Sequence, residues 1–250
     1  MTYCCGILVR GGLVMLADTR TNAGLDNIST FRKLHTFEKP GEYCMALATA
    51  GNLSVTQYVL SRIQEGVENK QTKEIERLTD MPTMFRAADL IGRTLREVNS
   101  ELNESLQAAG VAGSASFLFG GQVKGRQLRL FMIYSAGNFI ECSPDMPFLQ
   151  IGEYKYGKPV LDRAVTFETE LYDAVKLGLI SMDSTMRSNL GVGMPLDLAV
   201  TRRDTEAFEV KQRIDNADPY FHDLRDRWST ALRAAHVAIP RPPYGPKEGA

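Results

Sequence analysis

Apolar residues run almost unbroken through positions 2–9 and 13–18, and Arg10-Gly11-Gly12 interrupts them. The pattern predicts two strands joined by a hairpin turn. Asn22-Ala23-Gly24 marks a second turn. Positions 33–38 and 43–50 form another expected hairpin across Lys39-Pro40-Gly41-Glu42, where Pro-Gly sets the bend. Past Gly51 the apolar residues fall at helical spacing. Val55, Val59, Leu60 and Ile63 make one stripe, with Asn52 or Ser54 as the N-cap.

A polar connection over 65–80 precedes a long helix, with Pro82 in its first turn. Phe85, Ala88, Ile91, Leu95, Val98 and Leu102 keep its period to about position 107. Gly92 interrupts the stripe, and the glycines at 110 and 113 stop the helix. Strands are expected at 115–119, 127–134 and 138–141, helices at 159–164 and 171–183. Strands at 196–201 and 208–214, then a helix over 219–237, complete the pattern. This order, strands then two helices, repeated and closed by strands, suits helices on the outer faces of two stacked antiparallel sheets. The fold class read from it is α+β. A single domain over 2–237 and a Pro-rich tail over 238–250 are expected.

The chain has 250 residues and a formal net charge of −1. A domain of that length buries roughly 70–75% of its unfolded surface and needs no covalent staple. The charge balance excludes a general nucleic-acid binder. Cys4, Cys5, Cys44 and Cys142 lack metal-ligand spacing, so no metal and no organic cofactor is expected. Adjacent Cys4 and Cys5 on a strand are expected to point one inward and one outward, as small apolar filler. No apolar run reaches bilayer length and no leader is evident, so no membrane role and a cytoplasmic location are expected.

The candidate chemistry begins at Thr2. Removal of Met1, which ordinary N-terminal processing is expected to perform before so small a residue, would leave a threonine carrying both a hydroxyl and a free α-amine. Such an amine titrates at about 7.7–8.0 and can take the hydroxyl proton. Lys33 supplies a positive charge that favours the deprotonated hydroxyl, and Asp18 is the carboxylate expected to hold it. Lys33 follows Arg32, so one of the two points inward, and a buried lysine needs such a partner.

Ala17-Asp18-Thr19-Arg20-Thr21-Asn22-Ala23-Gly24 resembles the catalytic-strand motif of proteasome β-type subunits, which are N-terminal-nucleophile hydrolases. Phe31-Arg32-Lys33-Leu34 resembles their lysine-bearing strand, and Ala50-Gly51-Asn52 their substrate-binding glycine turn. The stretch from Asp18 to Gly24, the expected lack of a propeptide, and Ile151-Gly152-Glu153-Tyr154-Lys155-Tyr156-Gly157-Lys158-Pro159 are most similar to the bacterial branch called Anbu.

The resemblance covers positions 2–215 and implies a four-layer αββα sandwich. It also implies a threonine peptidase with Thr2 as nucleophile and base, Lys33 as activator and Asp18 as its orienting partner. Gly51 would present its N–H to the oxyanion, Thr21 and Asn22 would pair with the peptide, and Thr49 would line the first specificity pocket. Ser188 and Gly191 fall at places where the family carries groups supporting the threonine, and Glu153 stands where many β-subunits have a serine. The segment between Asp18 and Lys33 is one residue shorter than in the proteasome pattern.

A homo-oligomer, closed ring or open helix, is implied, with a peptide or amide substrate. An ATPase partner is left open. Two alternatives stand beside this reading: an amidase or acylase acting on a small amide or peptide conjugate, and a catalytically silent structural or binding subunit.

Overall fold

The computed structural model of the chain describes residues 1–22 and 28–244. The turn expected at Ala23-Gly24 lies outside the described residues. The chain divides into two compact units, Met1–Asn216 and Ala217–Ala250.

In the first unit the elements run β1 (Tyr3–Val9), β2 (Gly12–Asp18), β3 (Arg20–Asn22), β4 (Ile28–Thr30), β5 (Leu34–Lys39) and β6 (Tyr43–Gly51). Helix α1 (Leu53–Glu65), the short pair β7 (Val67–Glu68) and β8 (Ile75–Glu76), and helix α2 (Met84–Ala108) follow. Then come β9 (Ala115–Val123), β10 (Arg129–Ile133), β11 (Phe139–Glu141) and β12 (Phe148–Gly152). Helices α3 (Lys158–Ala164) and α4 (Leu171–Ser188) lead to β13 (Leu196–Arg202) and β14 (Val210–Ile214).

Two five-stranded sheets result, ordered β12-β1-β2-β13-β14 and β11-β10-β9-β6-β5. Every neighbouring pair in them is antiparallel. Leu13, Met15, Leu118 and Leu130 pack in the core between the sheets. The other face of the second sheet gives Met45, Leu47, Phe117 and Phe119 to a core shared with Val55, Val59 and Ile63 of α1 and Leu90, Ile91 and Leu95 of α2. Helix α4 covers the first sheet at Gly178, where a Cβ would come within 2.5 Å of Leu16 Cδ1. The layers are therefore α, β, β, α, as expected.

Local chemistry sets the helix starts. Asn52 Oδ1 accepts from Ser54 N at 3.0 Å and Val55 N at 3.3 Å, fixing the first turn of α1. Helix α2 begins at Met84, two residues past its proline. Thr83 is the cap, its Oγ1 accepting from Arg86 N at 3.2 Å, and Pro82 stays outside. Gly92 has a packing role, since a Cβ there would lie 2.2 Å from Gly137 O.

Cys4 packs in the core between the sheets and Cys5 turns to the other face of β1, which helix α4 covers; both are buried, and all four cysteines are free. Two expectations change. Strand β12 emerges in a stretch read without one, because it pairs with β1 from Tyr3↔Gly152 to Ile7↔Phe148. Helix α4 runs five residues beyond position 183, to Ser188.

In the second unit, Asp218 caps helix α5 (Pro219–Ala238), its Oδ1 accepting from Phe221 N at 2.7 Å. Among the described residues no helix is long and apolar enough to cross a membrane.

Candidate active site

Thr2 immediately precedes β1 and Asp18 ends β2, so the Cys4↔Ala17 register brings the two to the same end of the first sheet. Lys33 precedes β5 and Gly51 ends β6, at the facing end of the second sheet. Thr49 N donates to Lys33 O at 2.9 Å, which ties the lysine to the strand leading to Gly51. A cavity of about 510 Å³ opens between these ends. Thr2, Thr21, Lys33, Thr49 and Gly51 all line it.

The centre is a buried ion pair. Lys33 Nζ donates to Asp18 Oδ1 at 2.9 Å, to Arg20 O at 2.6 Å and to Met1 O at 3.3 Å. An ammonium has three N–H donors, so each finds an acceptor. The Thr2 hydroxyl donates to the same Met1 carbonyl oxygen at 2.8 Å, which makes it a near neighbour of the lysine. Arg32 is exposed while Lys33 is buried, so Lys33 is the inward member of the pair.

Asp18 accepts two further bonds that no residue type advertises. Tyr3 N donates to Oδ1 at 3.0 Å, and Gly193 N to Oδ2 at 3.3 Å. Burial raises the Asp18 carboxyl above its ordinary value, and Lys33 with the two N–H donors opposes that rise. Burial, followed by the Asp18 charge, pushes the Cys4 thiol well above the usual range and leaves it a poor nucleophile.

Two glycines let backbone approach the site. Gly51 has φ +107°, and a Cβ on it would lie 2.2 Å from Ser114 O. Gly152 has φ +80°, and its Cβ would fall 2.0 Å from Thr2 O. That closeness lets Glu153 N donate to Thr2 O at 2.8 Å, anchoring Thr2 from the end of β12. The contribution of Glu153 to Thr2 is thus its backbone; its carboxylate stands 3.8 Å from Lys155 Nζ.

The remaining sequence candidates separate. Thr21 pairs with Ser29 and Asn22 with Ile28 in the β3–β4 ribbon beside the cleft. Gly191 lies against Met1, where a Cβ would come within 2.7 Å of Met1 Cβ. Ser188 does not join the cluster: it is the exposed last residue of α4 and does not line the cavity.

Arg20 is a site residue not singled out from sequence. Its carbonyl holds Lys33, its Nη1 donates to Leu190 O at 3.1 Å, and its guanidinium lies against Gly193. Its place two residues after Asp18, in a strand with no apolar alternation to read, was the available signal. Among the described residues no three His, Cys, Asp or Glu side chains gather as metal ligands.

Stacked antiparallel sheets between helix layers, with Thr2, Asp18, Lys33 and Gly51 meeting at one end, define the proteasome-like β-subunit class. Comparison with solved structures narrows this. Anbu, the ancestral β-subunit, from Yersinia bercovieri matches with a TM-score of 0.88 and 42% identity, over 97% of this chain and 100% of that one. Anbu from Hyphomicrobium sp. strain MC1 matches with 0.86 and 46% identity, over 96% and 98%. A helical assembly of the Anbu complex from Pseudomonas aeruginosa matches with 0.87 and 43%, over 97% and 98%. No protein-family model and no curated protein matches the chain. The chain belongs to the Anbu family.

Proposed function

We propose that the chain is an N-terminal threonine hydrolase acting on a peptide or other amide bond within a homo-oligomer. The observation that carries this reading is the shared acceptor at Met1 O, bonded by both the Thr2 hydroxyl and Lys33 Nζ. Removal of Met1 takes that acceptor away. It leaves one lysine N–H free, with Asp18 and Arg20 still holding the other two.

The chemistry then follows in two halves. Thr2 Oγ attacks the amide carbonyl carbon while the α-amine takes the hydroxyl proton, and Lys33 offsets the charge developing on oxygen. The Gly51 N–H donates to the carbonyl oxygen as it becomes an oxyanion. The C–N bond breaks, the amine passes its proton to the leaving nitrogen, and an ester to Thr2 remains. Water attacks that ester with the amine again as base, releasing the acid and restoring Thr2. Asp18 orients Lys33 throughout.

An extended peptide laid along the cleft would add a strand between the Thr21-Asn22 segment and Gly51, with Thr49 in the wall of its first side-chain pocket. The helical assembly described for the Pseudomonas aeruginosa relative supports self-association through head-to-tail contacts. A panel of capped peptides and small amides, assayed for released amine, tests the reading. Wild type freed of Met1 should cleave at least one and Thr2→Ala none. Equal cleavage by both proteins would overturn the assignment, and cleavage by neither would favour a structural subunit.

A further inference from the structure

Behind the glycine turn of the cleft lies a second groove of about 400 Å³. Asn99, Asn103 and Gln107 of α2, Val111, Ser114 and Ser135 form its walls, and no lining residue is ionisable. It offers amides and hydroxyls, donors and acceptors together, with no charge to balance a charged ligand.

Asn99 sharpens that chemistry. Its Nδ2 donates to Ser135 O at 2.8 Å and to Ser135 Oγ at 3.3 Å. A carbonyl only accepts, so the orientation of the amide is fixed and Oδ1 is its other end. That oxygen is buried and has no hydrogen-bond partner among the described residues. A buried acceptor without a donor is costly, and a ligand N–H admitted by a small side-chain movement would relieve it.

The groove is joined to the cleft. Val111 lines both. The strap over 109–114 that separates them is bonded to the residue following Gly51: Asn52 Nδ2 donates to Ala112 O at 3.1 Å and Asn52 N to Ser114 O at 2.9 Å. Ser114 O also forms the back of the Gly51 turn, as the 2.2 Å approach to an added Cβ shows. Whatever seats the strap therefore seats the oxyanion donor.

We propose that this groove binds the uncharged side-chain amide of an Asn or Gln in the same extended peptide whose bond lies at Thr2. The identity of that peptide as substrate rests on the hydrolase reading; the binding does not. Equilibrium dialysis of the Thr2→Ala full chain tests it with acetyl-Ala-Gln-Ala-amide and acetyl-Ala-Glu-Ala-amide as probes.

The glutamine peptide should bind saturably and the glutamate peptide about tenfold more weakly, because its carboxylate meets no cation in the groove. Asn103→Leu with Gln107→Leu, both on an exposed stretch of α2, should lose about tenfold in affinity for the glutamine peptide with an unchanged circular dichroism spectrum. Absence of saturable binding, equal affinity for the two peptides, or affinity indifferent to the double variant would overturn the proposal. Intact binding alongside a wild type that hydrolyses nothing would instead count against the hydrolase reading alone.

Discussion

Lys33 Nζ stands 2.9 Å from Asp18 Oδ1, with side-chain exposures of 5% and 0%. Attraction between the charges and the desolvation of both nearly offset in such a pair, so its presence says little about stability. In the proposed hydrolase it keeps a cation at the mouth of the cleft, aimed by a carboxylate that backbone N–H groups hold in turn.

Removing only the cation should be costly. Lys33→Met leaves the Asp18 carboxylate buried and unpaired, and should destabilise the fold by about 3–5 kcal/mol at neutral pH. The deficit should shrink as pH falls, since a carboxyl already raised by burial rises further without its lysine and takes up a proton. Urea titrations of variant and wild type at several pH values check both statements.

Asp18→Asn should behave differently. Burial already counts against the ionised carboxyl, so the stability cost should be smaller than that of Lys33→Met, while covalent labelling of Thr2 should collapse. Denaturation midpoints set against labelling rates separate the two effects. A cost as large as that of Lys33→Met would contradict the account.

The wild type should lose reactivity on acidification before it loses its fold. The folded-state pKa of Asp18 lies above its ordinary value of 3.8. Its contribution to stability is therefore fully present below that value and is lost as pH rises through the folded pKa. Protonating it does not unfold the protein through this group, yet it removes the charge that holds Lys33. The freed Thr2 amine, titrating near about 7.7–8.0, adds a second loss at higher pH. Labelling rate and circular dichroism measured at the same pH values should part, with the rate falling first.

Glycine substitutions should sort by surroundings. Gly41 has φ +76° with nothing within 4 Å of an added Cβ, so Gly41→Ala should cost about 1 kcal/mol and leave labelling unchanged. Gly51→Ala meets backbone at 2.2 Å and should also lower the labelling rate by about 10²–10³ through the displaced N–H. Gly152→Ala meets Thr2 O at 2.0 Å and should disturb Thr2 itself, most visibly as a shifted pH profile of labelling.

Most of the frame was legible because turn residues and periodicity report local structure directly. Gly11-Gly12, Pro40-Gly41 and the stripes of α1 and α2 announced their elements. Alternation said only that one of Arg32 and Lys33 turns inward, and the fold makes it Lys33. Site features made of backbone were not legible. The N–H groups of Tyr3, Glu153 and Gly193 and the carbonyl of Arg20 act whatever the side chain, so their roles appear only once the chain is folded. Alternation put Cys4 and Cys5 on opposite faces, but it could not tell that a helix covers the face Cys5 takes. Ser188 was chosen from its place in a motif, and the five extra residues of α4 carry it to an exposed helix end.

The most direct test is mass spectrometry of the mature chain before and after treatment with a threonine-directed covalent inhibitor, with peptide mapping of the adduct. The account predicts a chain lacking Met1, one adduct per chain on Thr2, and no adduct on Thr2→Ala. A mature chain that retains Met1, or an adduct that persists in Thr2→Ala, would contradict it.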